Sequence, residues 1–163
     1  MGVILYKWIQ AKSYRPGRTQ PIQTIILHST DGREAGDVET LTKGNVSVHW
    51  YVTKDGRYYH FVDDSDTAYH AGVVTSTKYS NAATVGIEQE HIDGEEPWPD
   101  AQIKATANLV AALRQKHGDL PAKSHAEVAS PPGRKQDPRD YRWQLLSSLV
   151  HDAIQETWTF QQE

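Results

Sequence analysis

Residues 22–30 are nearly continuous in apolar side chains, with Ile25, Ile26 and Leu27 in direct succession. Such a run is typical of a strand that is buried on both faces, because a strand with one solvated face alternates apolar and polar residues. The run therefore predicts a central strand in a layered sheet. It is followed at once by His28, at the point where a strand end presents side chains from a rigid scaffold.

The remaining patterns predict strands and helices in the order βαβββαα. Asp55-Gly56 is a hairpin turn between two of the strands, and Gly118 ends the longest helix, while Asp37 and Asp100 are candidate helix caps. The predicted strands cover residues 3–9 (a strand or an arm), 22–30, 47–54, 57–62 and 84–90. The predicted helices cover residues 38–44, 100–117 and 141–157. This order indicates an α/β or α+β domain, with a central mixed β-sheet flanked by α-helices.

Composition excludes several classes of protein. The chain has 163 residues, which predicts a single domain, and its 37% apolar and 23% charged residues argue against disorder. It has no apolar run long enough to span a membrane and no signal-peptide pattern, so we expect cytoplasmic synthesis. The net charge of −4 disfavours nucleic acid as a partner. Because cysteine is absent, any metal must be bound by His, Asp or Glu.

The positive charge near the N-terminus is uneven. Four basic residues, Lys7, Lys12, Arg15 and Arg18, precede the first acidic residue, Asp31. Residues 1–20 are therefore predicted to be a basic N-terminal arm. Ordinary solvated surface charge is the favoured interpretation, and weak contact with an anionic polymer or lipid surface is the alternative.

Three side chains form a candidate metal site. His125 and Asp137 lie on one proline-stiffened loop, and His28 follows the buried strand. Two imidazoles and one carboxylate can bind Zn²⁺ with a fourth position left for water, which is the arrangement of zinc hydrolases. Each residue also has an ordinary interpretation: a strand-end histidine bonded to backbone, a surface-loop histidine, and an Asp-Pro turn.

Other candidates surround this predicted site. Lys135 lies two residues before the predicted carboxylate ligand, where an ammonium group can stabilise an oxyanion. Glu88 and Glu90 share one face of a predicted strand, and spacing alone does not decide which is a general base. His70 lies in a glycine-containing loop and can bond a polar substrate. His49 is either a buried, hydrogen-bonded histidine or a member of the site.

Five blocks together resemble the zinc-dependent N-acetylmuramoyl-L-alanine amidases, a family that includes phage endolysins, bacterial wall and recycling amidases, and the animal peptidoglycan recognition proteins. Each block is weak alone, but their shared order is specific. The blocks are Ile26-Leu27-His28-Ser29-Thr30, Val48-His49-Trp50-Tyr51-Val52 leading to Asp55-Gly56, Ala68-Tyr69-His70-Ala71-Gly72, Asn81 to Val85-Gly86-Ile87-Glu88, and His125-Ala126-Glu127-Val128 through Gly133 to Pro138.

The resemblance assigns roles to these residues. It implies that His28, His125 and Asp137 bind Zn²⁺, that Glu88 rather than Glu90 is the general base, and that Lys135 stabilises the oxyanion. It also implies that His70, Asn81 and Trp50 serve substrate binding, with His70 lining the cleft and Asn81 supporting the loop before the base strand. In some phage amidases a catalytic tyrosine stands where this chain has Val48, so proton transfer is expected to fall to Glu88.

The resemblance implies a hydrolase that cuts the amide between N-acetylmuramic acid and L-alanine in peptidoglycan. We expect a monomer consisting of one catalytic domain over residues 1–163, with no separate wall-binding domain. A phage-type endolysin, acting on the wall after membrane permeabilisation, is the favoured setting. A cytoplasmic muropeptide-recycling amidase is the alternative, and a noncatalytic peptidoglycan-binding module is the third interpretation.

Overall fold

The computed structural model describes residues 1–94 and 97–163. The strands are β1 (Gly2–Trp8), β2 (Tyr14–Arg15), β3 (Thr24–Leu27), β4 (Trp50–Val52), β5 (Tyr58–His60), β6 (Thr67–Ala68), β7 (Thr84–Gln89), β8 (Ala122–Ser124) and β9 (Trp158–Gln162). The helices are α1 (Glu34–Lys43), α2 (Asp100–His117), α3 (His125–Val128) and α4 (Trp143–Ala153). None of these helices is long and apolar enough to cross a bilayer.

Seven of the strands form one mixed sheet in the order β8-β3-β7-β4-β5-β1-β9. The first four run parallel to one another, and the last three run parallel to one another in the opposite direction, since β4 and β5 form an antiparallel hairpin. The remaining pair, β2 and β6, is a small antiparallel sheet. The predicted α/β fold with a central mixed sheet is therefore confirmed, and β3 is buried along its whole length as expected.

The sheet is covered on both faces, which explains why its central strands are apolar throughout. One core unites β3, β4 and β7 with the buried faces of α2 and α4. A second, smaller core includes Leu41 of α1 and the side chains of Tyr51 and Phe61. Each large apolar side chain that is fully buried in such a core contributes about 1.5–3 kcal/mol. These two layers hold the carboxyl ends of β3, β7 and β8 in a fixed arrangement.

Several local predictions are corrected by the structure. Asp37 does not cap α1; it is buried within the helix, where its carboxylate accepts hydrogen bonds from Thr30 and Tyr51 at 2.6 Å each. Asp100 is the first residue of α2, and Pro99 holds the capping position. The last helix ends at Ala153 rather than at residue 157, and the chain then forms β9 against β1.

The N-terminal residues do not form a separate arm. Gly2–Trp8 is the strand β1, which lies between β5 and β9 and buries Ile4 completely. Lys7, Lys12 and Arg15 are exposed. The guanidinium group of Arg18 is instead structural, because it donates hydrogen bonds to the backbone oxygens of Asp64 (2.7 Å) and Ala82 (3.1 Å).

Candidate active site

A cleft of about 760 Å³ opens at the carboxyl ends of the parallel strands β3, β7 and β8. In open α/β sheets this edge is where ligands bind, because loops diverge there above a rigid sheet. The cleft is lined by all five residues that were predicted to bind metal or to take part in catalysis: His28, Glu88, His125, Lys135 and Asp137.

His28 is held rigidly by the sheet. Its backbone N–H donates to Ile87 O at 2.9 Å, and its carbonyl accepts from the Gln89 side chain at 3.1 Å. Its side chain is 2% exposed, and burial lowers the pKa of the imidazole more strongly than the nearby Asp137 raises it. His28 therefore stays neutral at neutral pH, the form in which a histidine binds metal.

His125 is the first residue of the short helix α3, whose start is fixed by a capping box. Ser124 Oγ accepts from Glu127 N–H at 3.0 Å, and the Glu127 carboxylate accepts from Ser124 N–H at 2.8 Å. Nε2 of His125 donates to Ala71 O at 2.9 Å. In a neutral imidazole this leaves Nδ1 as the acceptor nitrogen, directed into the cleft.

The three predicted ligands converge. Nδ1 of His28 lies 3.1 Å from Nδ1 of His125 and 3.3 Å from Oδ2 of Asp137, and Nδ1 of His125 lies 3.2 Å from Oδ1 of Asp137. Two ligand atoms at about 2.0–2.1 Å from a tetrahedral zinc ion stand about 3.3 Å apart. The spacing and the donor set therefore fit Zn²⁺ with two imidazoles and one carboxylate.

The ligand loop is anchored close to this cluster. The carbonyl of Asp137 accepts from Ala126 N–H at 3.0 Å, which joins the loop to α3. Burial raises the pKa of the Asp137 carboxyl, but hydrogen bonds with His125 and His28 outweigh burial, so the net pKa is lowered. Asp137 is therefore an anion at neutral pH, as a metal ligand must be.

Glu88 and Glu90 have different surroundings, although they are only two residues apart: Glu88 lies in β7, and Glu90 follows the end of that strand. Oε1 of Glu88 is buried without a hydrogen-bond partner, and burial, reinforced by Asp137 and Asp37, raises the pKa of its carboxyl well above 4.5. Glu90 accepts hydrogen bonds from the backbone N–H groups of Lys54 (2.7 Å) and Glu34 (3.0 Å). The structure thus assigns Glu90 to holding α1 and the hairpin, while Glu88 lines the cleft.

His70 lines the cleft and also contacts a predicted ligand. Its Nδ1 lies 2.8 Å from Nε2 of His28. Asn81 Oδ1 accepts from the backbone N–H groups of His70 (3.1 Å) and Ala71 (2.8 Å). Asn81 therefore holds the segment that carries His70, which agrees with the predicted support of this loop.

Gly86 makes room for the ring of His70. A Cβ at this position would lie 2.6 Å from Nδ1 of His70. The backbone N–H of Gly86 donates to Nδ1 of His49 at 3.1 Å. His49 is completely buried, and desolvation, with Arg18 nearby, lowers the pKa of its imidazole to about 4. His49 is thus a neutral, hydrogen-bonded core histidine.

Trp50 does not serve substrate binding. Its ring is 1% exposed, stacks on His60 at 3.7 Å between centroids, and donates from Nε1 to Asp64 at 2.9 Å. The resemblance of the surrounding motif suggested a cleft position, but both faces of β4 are covered, and Trp50 belongs to the core that also contains the buried residues of α2. The sequence-based assignment of Trp50 is wrong for this reason.

Replacing Trp50 by phenylalanine is expected to destabilise the protein by about 1.5–3 kcal/mol without changing catalysis. The substitution removes a hydrogen bond to the carboxylate of Asp64, which is 2% exposed. Urea unfolding and steady-state hydrolysis would measure the two effects. A rise in KM at unchanged stability would place Trp50 in the binding cleft instead.

Comparison with known proteins identifies the family of the chain. The family model for N-acetylmuramoyl-L-alanine amidases, Amidase_2, matches residues 18–140. The 1,6-anhydro-N-acetylmuramyl-L-alanine amidase AmpD of Haemophilus influenzae is 30% identical over 111 residues, which are 64% of this chain and 59% of that protein. The matched region thus spans less than two thirds of that relative.

Solved structures share the fold. A selenomethionine derivative of AmpD superposes with a TM-score of 0.78 at 21% identity, covering 89% of this chain and 94% of that one. AmiD from E. coli, in complex with anhydro-N-acetylmuramic acid-L-Ala-D-γ-Glu-L-Lys, has a TM-score of 0.71 at 26% identity, covering 86% of this chain and 60% of that one. Two endolysins with the same fold, from Clostridium intestinale and from a Thermus scotoductus bacteriophage, are 18% and 22% identical. Since the family model matches most of the chain and contains every predicted metal-binding and catalytic residue, the chain belongs to the N-acetylmuramoyl-L-alanine amidase family.

Proposed function

We propose that this chain is a Zn²⁺-dependent hydrolase that cleaves the amide bond between the lactyl group of N-acetylmuramic acid and L-alanine. One observation carries the proposal: ligand atoms of His28, His125 and Asp137 lie within 4.8 Å of one another beside the enclosed carboxyl of Glu88. Three metal-binding groups and a base with a raised pKa are what metal-assisted amide hydrolysis needs.

The proposed mechanism assigns the proton transfers to Glu88. When bound, Zn²⁺ supplies Lewis acidity, which lowers the pKa of water and polarises a carbonyl. Glu88 accepts a proton from water as the water oxygen bonds to the lactyl carbonyl carbon. It then donates this proton to the nitrogen of L-alanine, and the C–N bond breaks to give a carboxylic acid and a free amine; the acid proton then passes to the amine, so the products leave as a carboxylate and an ammonium group. The raised pKa of Glu88 suits a group that holds the proton between the two steps.

Lys135 is proposed to stabilise the negative charge that develops on the carbonyl oxygen. It is exposed and lines the cleft, next to Arg134. The two cations differ in role, because Arg134 donates hydrogen bonds to the carbonyl oxygens of Ser130 (2.9 Å) and Val73 (2.8 Å) and thus holds its loop.

Replacing Lys135 by alanine is expected to lower turnover by about 10²–10³-fold, because an oxyanion contact contributes roughly 3–4 kcal/mol to the transition state. Zinc binding should be unchanged. Turnover on purified peptidoglycan and metal content would be measured together, with Lys123→Ala as a control outside the cleft. Full turnover of the Lys135 variant would refute the assigned role.

Digestion of purified peptidoglycan tests the proposed reaction. Zinc-loaded protein should release peptides that begin with a free L-alanine amine, and mass analysis should show glycan strands that carry lactyl carboxylates. A noncatalytic binding module would instead retain muropeptides without new amines. Cleavage at another bond, or binding without cleavage, would contradict the proposal.

We propose a lytic, endolysin-type role acting on the wall after membrane permeabilisation. Exposed Lys7, Lys12 and Arg15 support contact with an anionic envelope. A recycling role is the second candidate, because the relative from Haemophilus influenzae is named for an anhydro-muropeptide amidase. Rates on intact sacculi and on soluble anhydro-muropeptides separate the two. Charge-reversal variants of Lys7, Lys12 and Arg15 test the proposed envelope contact. They are preferable to deletion of this segment, because Lys7 belongs to β1, which lies between β5 and β9.

A further inference from the structure

A line of hydrogen bonds leads from the metal-binding cluster into the protein through His70 and Thr84. Nε2 of His28 lies 2.8 Å from Nδ1 of His70, and Nε2 of His70 lies 3.0 Å from Oγ1 of Thr84. Thr84 in turn donates to Ser80 O at 2.8 Å. Each side chain in this line contacts the next through a single nitrogen or oxygen atom. The position of the proton in one hydrogen bond therefore determines the positions of the protons in the others.

The carbonyl at the end of the line fixes the direction of every bond. A threonine hydroxyl has one proton, and Thr84 uses it on Ser80 O, so Oγ1 can only accept from Nε2–H of His70. A neutral His70 then carries no proton on Nδ1, which must accept from Nε2–H of His28. His28 is thereby left with an unprotonated Nδ1, the atom that lies 3.1 Å from Nδ1 of His125.

The His70 ring has little freedom to break this line. Asn81 fixes the backbone here, because its Oδ1 accepts hydrogen bonds from the N–H groups of His70 and Ala71. The ring of His70 also lies over Gly86, where an added Cβ would be 2.6 Å from Nδ1 of His70. The ring of His28 meets the ring of His70 edge-on, with centroids 5.0 Å apart. The arrangement is therefore built into the packing rather than made by two mobile side chains.

We propose that His70, which is hydrogen-bonded to Thr84, is a positioning residue: it keeps His28 in the tautomer whose Nδ1 binds the metal. This inference rests on the proposed zinc function and gives His70 a role beyond lining the substrate cleft. Hydrogen-bond partners of metal-binding histidines typically change metal affinity by 10–100-fold when they are removed.

Zinc affinity, measured by competition with a chromophoric chelator, tests the proposal without relying on hydrolysis. His70→Ala should weaken zinc binding by about 10–100-fold. Thr84→Val, which keeps the shape but removes the hydroxyl, should weaken it in the same direction, and Thr84→Ser should restore it. His151→Ala, which removes an exposed histidine on α4, is the matched control and should bind like the wild type.

The tautomer can be read directly by long-range ¹H–¹⁵N NMR of the imidazole rings in the metal-free protein. We expect His28 to carry its proton on Nε2 in the wild type and in Thr84→Ser, and to populate the other tautomer in Thr84→Val. Urea unfolding shows whether each variant is folded. If His70→Ala does not fold, the comparison of Thr84→Val with Thr84→Ser still tests the proposal.

The outcomes of these experiments distinguish this inference from the proposed zinc function on which it rests. Tight zinc binding by the wild type and by the folded His70 and Thr84 variants, within about twofold, would overturn the inference and leave the zinc function standing. So would a His28 proton on Nδ1 in the wild type. Failure of the wild type itself to bind zinc would overturn both.

Discussion

Replacing Glu88 by glutamine is expected to lower turnover by about 10²–10⁴-fold, the usual contribution of a positioned general base. Glutamine keeps the shape of the side chain but cannot accept and return a proton. Zinc content should not change, because Glu88 is not one of the three converging ligands. Steady-state hydrolysis of peptidoglycan and metal analysis of the same preparation would measure both quantities. Turnover close to that of the wild type would contradict the assignment.

The same variant is expected to stabilise the metal-free protein at high pH. Because burial raises the pKa of Glu88 well above 4.5, the folded protein retains a proton that the unfolded chain releases. The contribution of Glu88 to stability is therefore present below about pH 4.5 and is lost as the pH rises towards the folded pKa. Glutamine does not titrate, so the stability advantage of the variant should grow between pH 5 and pH 8.

Glu90→Gln is the matched control, two residues further along the chain and just after β7. Glu90 accepts hydrogen bonds from two backbone N–H groups, those of Glu34 and Lys54. An amide offers one acceptor oxygen in place of two, so this variant should be less stable than the wild type while retaining its zinc. Urea unfolding at pH 5 and pH 8 would measure these differences. An effect of Glu88→Gln that does not depend on pH would refute the burial argument.

Removing the metal is expected to abolish hydrolysis and to lower the stability of the fold. A ligand that binds only the folded state stabilises it by about 4 kcal/mol when its free concentration is a thousandfold above Kd. Three ligands from separate parts of the chain, His28, His125 and Asp137, would be tied together by this binding. Chelation should therefore lower the unfolding free energy, and added Zn²⁺ should restore both stability and turnover.

Asp137→Asn should reproduce the loss in the presence of zinc, since the variant lacks the anionic ligand. Asp93→Asn is the control, because Asp93 lines the same cleft but pairs with Arg139 at 3.3 Å. The control should bind zinc and hydrolyse substrate normally. Full turnover by chelator-treated protein that contains no zinc, or by Asp137→Asn, would contradict a metal-dependent reaction.

Long periodic segments and the order of the motifs were enough to predict the frame of this structure. The buried run before His28 predicted a central strand, and α2 spans the predicted residues 100–117. The metal-binding set followed from residue type together with the order of the blocks, and the structure brings these residues together. Periodic segments and the order of motifs can both be read from the sequence, because they depend only on the spacing of residues along the chain.

The elements that escaped prediction are short or depend on distant partners. The strand β8 has three residues and no apolar run, and β9 is stabilised by pairing with β1 from the opposite end of the chain. The helix α3 has four residues, although Ser124 and Glu127 form a capping signature that was available in the sequence.

Side-chain roles were harder to assign than elements. Spacing along the chain could not show which of Glu88 and Glu90 is the general base, because their roles depend on their surroundings in the fold. The carboxyl of Glu88 lies in the enclosed cleft wall, whereas that of Glu90 accepts hydrogen bonds from two backbone N–H groups. Trp50 was misplaced because a motif match does not show whether a side chain within it points into the cleft or into the core.

X-ray absorption at the zinc K-edge, on protein loaded with one equivalent of Zn²⁺, tests the central claim most directly. The account predicts nitrogen and oxygen ligands at about 2.0–2.1 Å, with the scattering signature of two imidazoles that falls to one in His125→Ala. A spectrum without imidazole scattering, or one that is unchanged when His28 or His125 is removed, would contradict it.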